Sequence, residues 1–297
     1  MLNKALKITM AGVLVTTFGI AANVNAAQLY GTLKKIKDSG VINVGHRESS
    51  VPFAYIDSGA TEPIGYSMDL CLKIVDRVKK TLKMDDLKIK YVPVTSQTRI
   101  PLLANGTIDI ECGSTTKNLT RMKQIDYLGV TFITGTKLLV KKDSGIKEIE
   151  DLKGKRVALS LGTTNEKVIK KASKKLGLDL KYQMVKDHPE GFLALSTGRA
   201  DAYSTDHVLL FGLISKVKNP EDYEVVGRFL SYDPYAIMVR RDDSAMSLLG
   251  NTVLADLMRS GEIMKIYDKW FNPGPGKINM PVSNTLGTAF EIQALPY

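Results

Sequence analysis

The sequence predicts an α/β protein built as two similar lobes, and three observations carry that prediction. Apolar runs of strand length alternate with amphipathic helical stretches, the alternation stops and restarts near residue 155, and a seven-residue template in the first half recurs in the second. Such alternation argues for a mostly parallel sheet flanked by helices, because the crossover that joins two parallel strands passes over a face of the sheet.

In the first half the expected order is a strand at Val41 to Gly45, a helix over Ser67 to Leu82, a strand at Leu87 to Val94, a short helix near Arg99 to Ala104 and a strand at Ile108 to Cys112. The pattern then restarts with a strand at Lys155 to Ser160, a helix from Glu166 to Leu176, and strands at Lys181 to Val185 and Ala200 to Tyr203. The shared template is Leu103-Ala-Asn-Gly106-Thr-Ile-Asp109, which returns 92 positions later as Leu195-Ser-Thr-Gly198-Arg-Ala-Asp201. Each copy reads as a helix end, a glycine suited to the left-handed cap, and a strand entered through an aspartate. Eight residues past each glycine stand Ser114 and Asp206, both just beyond a strand's carboxyl end, where parallel α/β sheets collect their ligands.

Thr134 to Val140 and Phe229 to Val239 are extended, rich in β-formers, and flank the second half, so they are the natural crossings between lobes. Two crossings require the carboxyl tail, with helices at Ser244 to Ser260 and Glu262 to Phe271, to return to the first lobe. The expected division is therefore residues 27–136 with 232–297 for lobe one and 137–231 for lobe two.

Residues 1–26 have the anatomy of a secretory signal: Lys4 and Lys7, an apolar stretch from Ile8 to Ala22, and the small-x-small site Val24-Asn25-Ala26. The stretch is shorter than the ~20 residues of a membrane-spanning helix, so a soluble exported chain is expected rather than a membrane-embedded one. Without the leader's two lysines, 39 basic side chains face 31 acidic ones, a mature charge of +8. The lysines are scattered, with no basic stripe interleaved with aromatics, which argues against nucleic acid and for a basic surface that favours the approach of anions. Cys71 and Cys112 are too few for a disulfide scaffold. A bridge between them is one reading; two small buried thiols is the preferred one, since Cys71 shares an apolar helix face with Met68 and Val75.

No phosphate loop, nucleophile elbow, HExxH or dinucleotide fingerprint is present, and Gly274-Pro275-Gly276-Lys277 reads as a turn. Histidines 46, 188 and 207 have no metal-ligand spacing, so no metal and no cofactor is expected. The positive signals are strand-end loops: Arg47 after the first strand, Ser96 and Arg99 after the next, then Ser114, Thr116 and Arg121 after Cys112, and Gly162-Thr163-Thr164 opening a helix in the second half. Arginine's planar fork matches a carboxylate in bidentate fashion, and amides at a helix start add donors. A small zwitterion with an extra carboxylate needs two anion holders and one acid for its ammonium, a role open to Asp206.

GHRESSVPF (45–53), GYSMDL (65–70), TSQTRIPLL.NGT (95–107), ECGSTT (111–116), DLKGKRV (151–157), GTT.E (162–166), KDH (186–188) and GE.MK.YDKWF (261–271) carry a resemblance that spans nearly the whole mature chain. The chain resembles the family 3 extracellular solute-binding proteins, the polar amino-acid receptors of ABC importers, and in particular their acidic amino-acid (glutamate/aspartate) branch. The resemblance implies the two-lobed periplasmic-binding-protein fold and a monomer in the periplasm that hands its ligand to a membrane permease. It implies that Arg121, Ser114 and Thr116 hold the α-carboxylate and that Asp206 holds the α-ammonium. Thr163 and Thr164 would add hydroxyl or amide contacts, and Arg47, Arg99, Ser96 and His188 would hold the side-chain carboxylate. Phe53 and Tyr66 are open to two readings, pocket wall or core. Two rival functions stay in view: a dehydratase-like enzyme on the same fold, using His188, Asp206 and the Cys112 thiol, and a sensing or adhesion module that has kept the fold.

Overall fold

A computed structural model describes residues 29–272 and 278–297, so the expected leader and the Gly274-Pro275-Gly276-Lys277 turn lie outside the described residues. The chain enters through α1 (Gly31–Ser39) and β1 (Val41–His46), makes a small hairpin of β2 (Ser49–Ser50) and β3 (Ala54–Tyr55), and continues through α2 (Tyr66–Leu82), β4 (Lys88–Pro93), α3 (Arg99–Ala104), β5 (Ile110–Glu111) and β6 (Ile125–Thr134). One residue later β7 (Thr136–Lys141) starts in the second sheet, followed by β8 (Arg156–Ser160), α4 (Thr164–Leu176), β9 (Lys181–Val185), α5 (His188–Ser196), β10 (Ala202–Asp206), α6 (His207–Ile214) and β11 (Tyr223–Val226). The chain then returns in β12 (Asp233–Arg240), α7 (Ser244–Arg259), α8 (Glu262–Phe271) and α9 (Asn284–Gln293).

The two five-stranded sheets have matching orders, β4-β1-β5-β12-β6 and β9-β8-β10-β7-β11. In each, the first three strands are parallel, and the fourth runs antiparallel to both of its neighbours. The parallel character read from the sequence thus belongs to three adjacent strands, while the strands that complete each sheet are fed from the crossings.

The 92-residue template has a structural counterpart. Gly106 and Gly198 take φ of 80° and 72°, a region that costs glycine little because it has no Cβ. The following aspartates do the same work: an Asp109 carboxylate oxygen accepts the Asn43 N–H of β1 at 2.9 Å, and one from Asp201 accepts the Arg156 N–H of β8 at 2.8 Å. Each repeat therefore pins the start of one strand to its neighbour, which fixes where the carboxyl edge beyond it ends.

The first sheet's core joins Ile42 and Val44 of β1 to Met68, Ile74 and Val78 of α2, and also to Leu249, Val253, Tyr267, Leu286 and Phe290 from the returning tail. The smaller second core holds Leu138, Val157, Leu159 and Ile169. Phe53 and Tyr66 belong to the core: both are fully buried and edge-on to one another, Phe271 packs tilted against Phe53 and edge-on to Tyr66, and the Tyr66 hydroxyl donates to the Thr131 carbonyl at 2.9 Å. Helix α6 was not expected from the sequence because Val208, Leu209 and Leu210 all bury, leaving the segment apolar all round and without a helical period.

The cysteines correct the reading of two free thiols. Cys71 of α2 and Cys112 are disulfide-bonded with Cα atoms 6.1 Å apart. The spacing of 41 residues hid this; only the packing of α2 over the end of β5 brings the pair together. The chain-entropy model gives a loop of 41 residues about 4 kcal/mol of stabilisation. The Cys71→Ala/Cys112→Ala double variant is expected to lose roughly 2–4 kcal/mol in denaturant unfolding, and an unchanged midpoint would mean that the bridge is not formed in solution.

Candidate functional site

The carboxyl ends of the parallel strands from both sheets face one enclosed cleft. Nine of the ten residues singled out from the sequence line it: Arg47, Ser96, Arg99, Ser114 and Thr116 from the first lobe, and Thr163, Thr164, His188 and Asp206 from the second. The tenth, Arg121, approaches from a short 3-10 turn at Arg121–Lys123 and donates to the Thr116 carbonyl at 2.8 Å and, across the cleft, to the Gly162 carbonyl at 3.2 Å. The lobes are closed on one another. Thr116 and Thr164 hydroxyls lie 3.2 Å apart, Lys216 reaches Asp57 at 2.9 Å on the rim, and the cleft has room for only ≈ 10 Å³. Gly162 permits this approach, since with φ of 76° a Cβ there would sit 3.0 Å from the Gln97 side chain and 3.1 Å from the Ser96 carbonyl.

The electrostatics are unusual for so small a volume. Arg47 and Arg99 are each only 2% exposed, and burial pulls both guanidinium pKa values down, Arg99 to about 10, with the Arg121 charge adding to its shift. Arg47 donates to the Ser96 hydroxyl at 3.0 Å, and Arg99 donates to the Thr115 hydroxyl at 2.5 Å, which in turn donates to Glu111 at 2.8 Å. Glu111, fully buried, is 3.9 Å from Arg99. One buried carboxylate thus faces two buried arginines, with Arg121 as a third cation, a balance that favours an incoming anion.

His188 heads α5 with its Nδ1 2.7 Å from the Tyr203 hydroxyl, and burial followed by the Arg47 and Arg99 charges holds its pKa well below 6.5. A neutral ring whose Nδ1 accepts from Tyr203 carries its proton on Nε2, and that atom faces no partner. Buried polar atoms normally have partners. Here Arg99 Nε, Glu111 Oε1, Ser114 Oγ and His188 Nε2 have none, and all four belong to residues in or beside the cleft.

Asp206, at the end of β10, accepts from Asn165 Nδ2 at 2.9 Å and from the Tyr235 hydroxyl at 2.5 Å. Burial and the neighbouring Asp233 charge push its pKa up to about 7. Thr163 is partly committed: its hydroxyl donates to the Ser160 carbonyl at 2.7 Å and accepts the Glu166 N–H at 3.1 Å as the cap of α4, which leaves its backbone amide as the group to meet a ligand. Larger hollows of ≈ 640 Å³ beside Lys155 and Asp222 and ≈ 570 Å³ beside Phe229 and Met280 have no buried arginine in their walls. Among the described residues no group of three or more His, Cys, Asp or Glu could hold a metal ion, and no helix is long and apolar enough to cross a membrane.

Residues 42–273 match the family model of bacterial extracellular solute-binding proteins, family 3. The chain belongs to that family. It is 48% identical over 273 residues, 90% of each chain, to the L-glutamate/L-aspartate-binding protein of Pseudomonas aeruginosa. It is 43% identical over 283 residues, 94% of this chain and 93% of the other, to the glutamate/aspartate import solute-binding protein of Escherichia coli. Among solved structures, an ancestral arginine-binding protein bound to glutamine superposes with a TM-score of 0.69 at 31% identity, covering 78% of this chain and 98% of that one. An ancestral amino acid-binding protein described as a precursor of cyclohexadienyl dehydratase does so with a TM-score of 0.69 at 29% identity, covering 81% and 100%.

Within this family 3 solute-binding protein the structure adds residues to the cleft that the sequence reading left without a role. Glu111 and Thr115 stand inside the quoted ECGSTT run, and a lone glutamate at the end of an apolar strand was the available signal. Asn165, 2% exposed, bridges Asp206 to the Thr136 hydroxyl of the first crossing. Tyr203, Tyr235 and Asp233 had no local signal, because each acts through a partner far away in sequence.

Proposed function

We propose that this protein is a periplasmic receptor that captures an acidic L-amino acid, glutamate or aspartate, between its lobes and presents it to the membrane permease of an ABC importer. The observation that carries this reading is the charge arrangement of the cleft. Arg47, Arg99 and Arg121 stand against Glu111 as the buried carboxylate beside them, so two of the three cations are left for a ligand's carboxylates, and a zwitterion with a second carboxylate brings two while its ammonium meets Asp206. A neutral amino acid would leave a buried cation unmatched, at a cost of several kcal/mol. The names of the two bacterial relatives point to the same ligands.

The moving bodies are residues 27–136 with 232–297 and residues 137–231. They rotate about the crossings at Gly135 and Ser231, and closure is favoured because the ligand touches both lobes only when they meet. Arg121, Ser114 and Thr116 hold the α-carboxylate together with the start of α4, Asp206 takes the ammonium, and Arg47, Ser96, Arg99 and His188 take the side-chain carboxylate. The ligand leaves unchanged. The dehydratase-precursor neighbour raises an enzymatic alternative, but Cys112 is disulfide-bonded and offers no thiol, and His188 Nδ1 is occupied by Tyr203.

A thermal-shift panel of the amino acids tests the reading. Glutamate or aspartate at ~1,000 times its dissociation constant should add about 4 kcal/mol of stability, with glutamine and arginine well behind, and the ligand should be recovered intact after prolonged incubation. No shift with either acidic amino acid overturns the assignment, and turnover of the ligand moves the protein to the enzymes.

A further inference from the structure

Two buried carboxylates lie where the ligand cleft meets the hinge. Asp206 and Asp233 are each 3% exposed, on β10 of one lobe and β12 of the other. A hydrogen-bonded chain joins them through both crossings: Asn165 donates one amide proton to Asp206 and the other to the Thr136 hydroxyl at 2.8 Å, that hydroxyl donates to the Ser231 oxygen 2.7 Å away, and Ser231 donates its own proton to Asp233. The Tyr235 hydroxyl closes the arrangement by donating to the other Asp206 oxygen at 2.5 Å. The charged and titratable groups facing Asp206 are Asp233 and Tyr235 from β12 and Arg121 from its 3-10 turn, and Arg121 is already engaged with two carbonyls.

We propose that Asp233 is a further positioning residue for the ligand's ammonium: across the hinge its charge keeps a proton on Asp206 while the cleft is unliganded, and the arriving ammonium displaces that proton to solvent. This rests on the acidic amino-acid reading above. The balance is simple, one O–H bond of a carboxylic acid breaking as one ammonium-carboxylate contact forms, with the proton taken up by buffer. Two like charges in a buried site cannot both ionise cheaply, and the ammonium supplies the missing positive charge. Because Tyr235, Thr136 and Ser231 sit at the crossings, where hinge motion displaces atoms least, the pair stays assembled while the lobes open. Receptor occupancy is thereby linked to periplasmic pH.

The group that titrates near neutrality is Asp206, pushed up to about 7 by burial and by Asp233. His188 is held well below 6.5 and His207 falls to about 4, so neither histidine duplicates the signal. A raised carboxyl pKa in the free protein, lowered in the complex, means that affinity is full above pH 7 and falls as pH drops, by up to about tenfold per unit.

Calorimetry of glutamate binding to the intact mature protein, repeated in buffers of different ionisation enthalpy from pH 5.5 to 8.5, counts the protons. About half a proton should leave at pH 7, approaching one near pH 6 and none above pH 8. Asp233→Asn should move the midpoint of that profile down by about one pH unit, since a like charge is removed. Tyr235→Phe should move it up, since a hydrogen bond to the ionised form is lost. Tight binding with no proton release in the wild type, or midpoints that stay put in both variants, overturns the proposal alone. Absence of glutamate and aspartate binding at every pH overturns the ligand reading and this proposal with it.

Discussion

Arg121→Ala is expected to raise the dissociation constant for glutamate by roughly two to three and a half orders of magnitude, a loss of about 3–5 kcal/mol. The side chain does three things that alanine cannot. It is a cation beside the place where an α-carboxylate would sit between Ser114, Thr116 and the start of α4. It ties the loop after Cys112 to itself through the Thr116 carbonyl, which the Tyr127 hydroxyl also holds at 3.0 Å. It also spans the closed cleft to the Gly162 carbonyl. Removing it leaves a ligand carboxylate desolvated without a partner and weakens the closed form at once. Because every amino acid has an α-carboxylate, the loss should be similar for glutamate and aspartate, whereas Arg47→Ala or Arg99→Ala should weaken acidic ligands more than neutral ones. Calorimetry that finds wild-type glutamate affinity in Arg121→Ala would remove this residue from the site.

Glu111→Gln is expected to destabilise the ligand-free protein by about 3 kcal/mol while making glutamate a stronger stabiliser than it is for the wild type. The substitution keeps the shape and takes away one charge, in a place where Arg47 and Arg99 have no other buried carboxylate beside them. Deleting one partner of a buried ionic cluster is costly because the remaining charge stays desolvated. The ligand's second carboxylate then replaces what the mutation removed, so the gap between the variants should narrow as glutamate is added. Denaturant unfolding with and without ligand measures both quantities. Equal stability of Glu111→Gln and wild type without ligand would show that the arginines do not depend on Glu111.

Much of this could be read from the chain. Local patterns fixed α2, α3, α4 and α8 within about two residues, because an amphipathic period, a capping residue and a glycine stop are all local quantities. The strand-end position of Arg47, Arg99, Ser114 and Thr163 was likewise legible, since parallel strands alternating with helices must deliver their following loops to one edge. The template at Gly106 and Gly198 identified two related units before any contact was known, and Asp109 and Asp201 turned out to brace equivalent strands.

What the sequence by itself determined, then, was the alternation, the repeat and the set of side chains offered at the strand ends. Tertiary structure alone decided their pairing. The Cys71–Cys112 bridge, the buried position of Glu111 between two arginines, the placing of Phe53 and Tyr66 in the core and the hinge chain from Asp206 to Asp233 all join residues tens of positions apart. Such contacts depend on how sheets and helices pack, and burial sets the cost of each charge. A propensity or a motif is blind to both, because neither a three-dimensional neighbour nor a local dielectric is a property of a short stretch of chain.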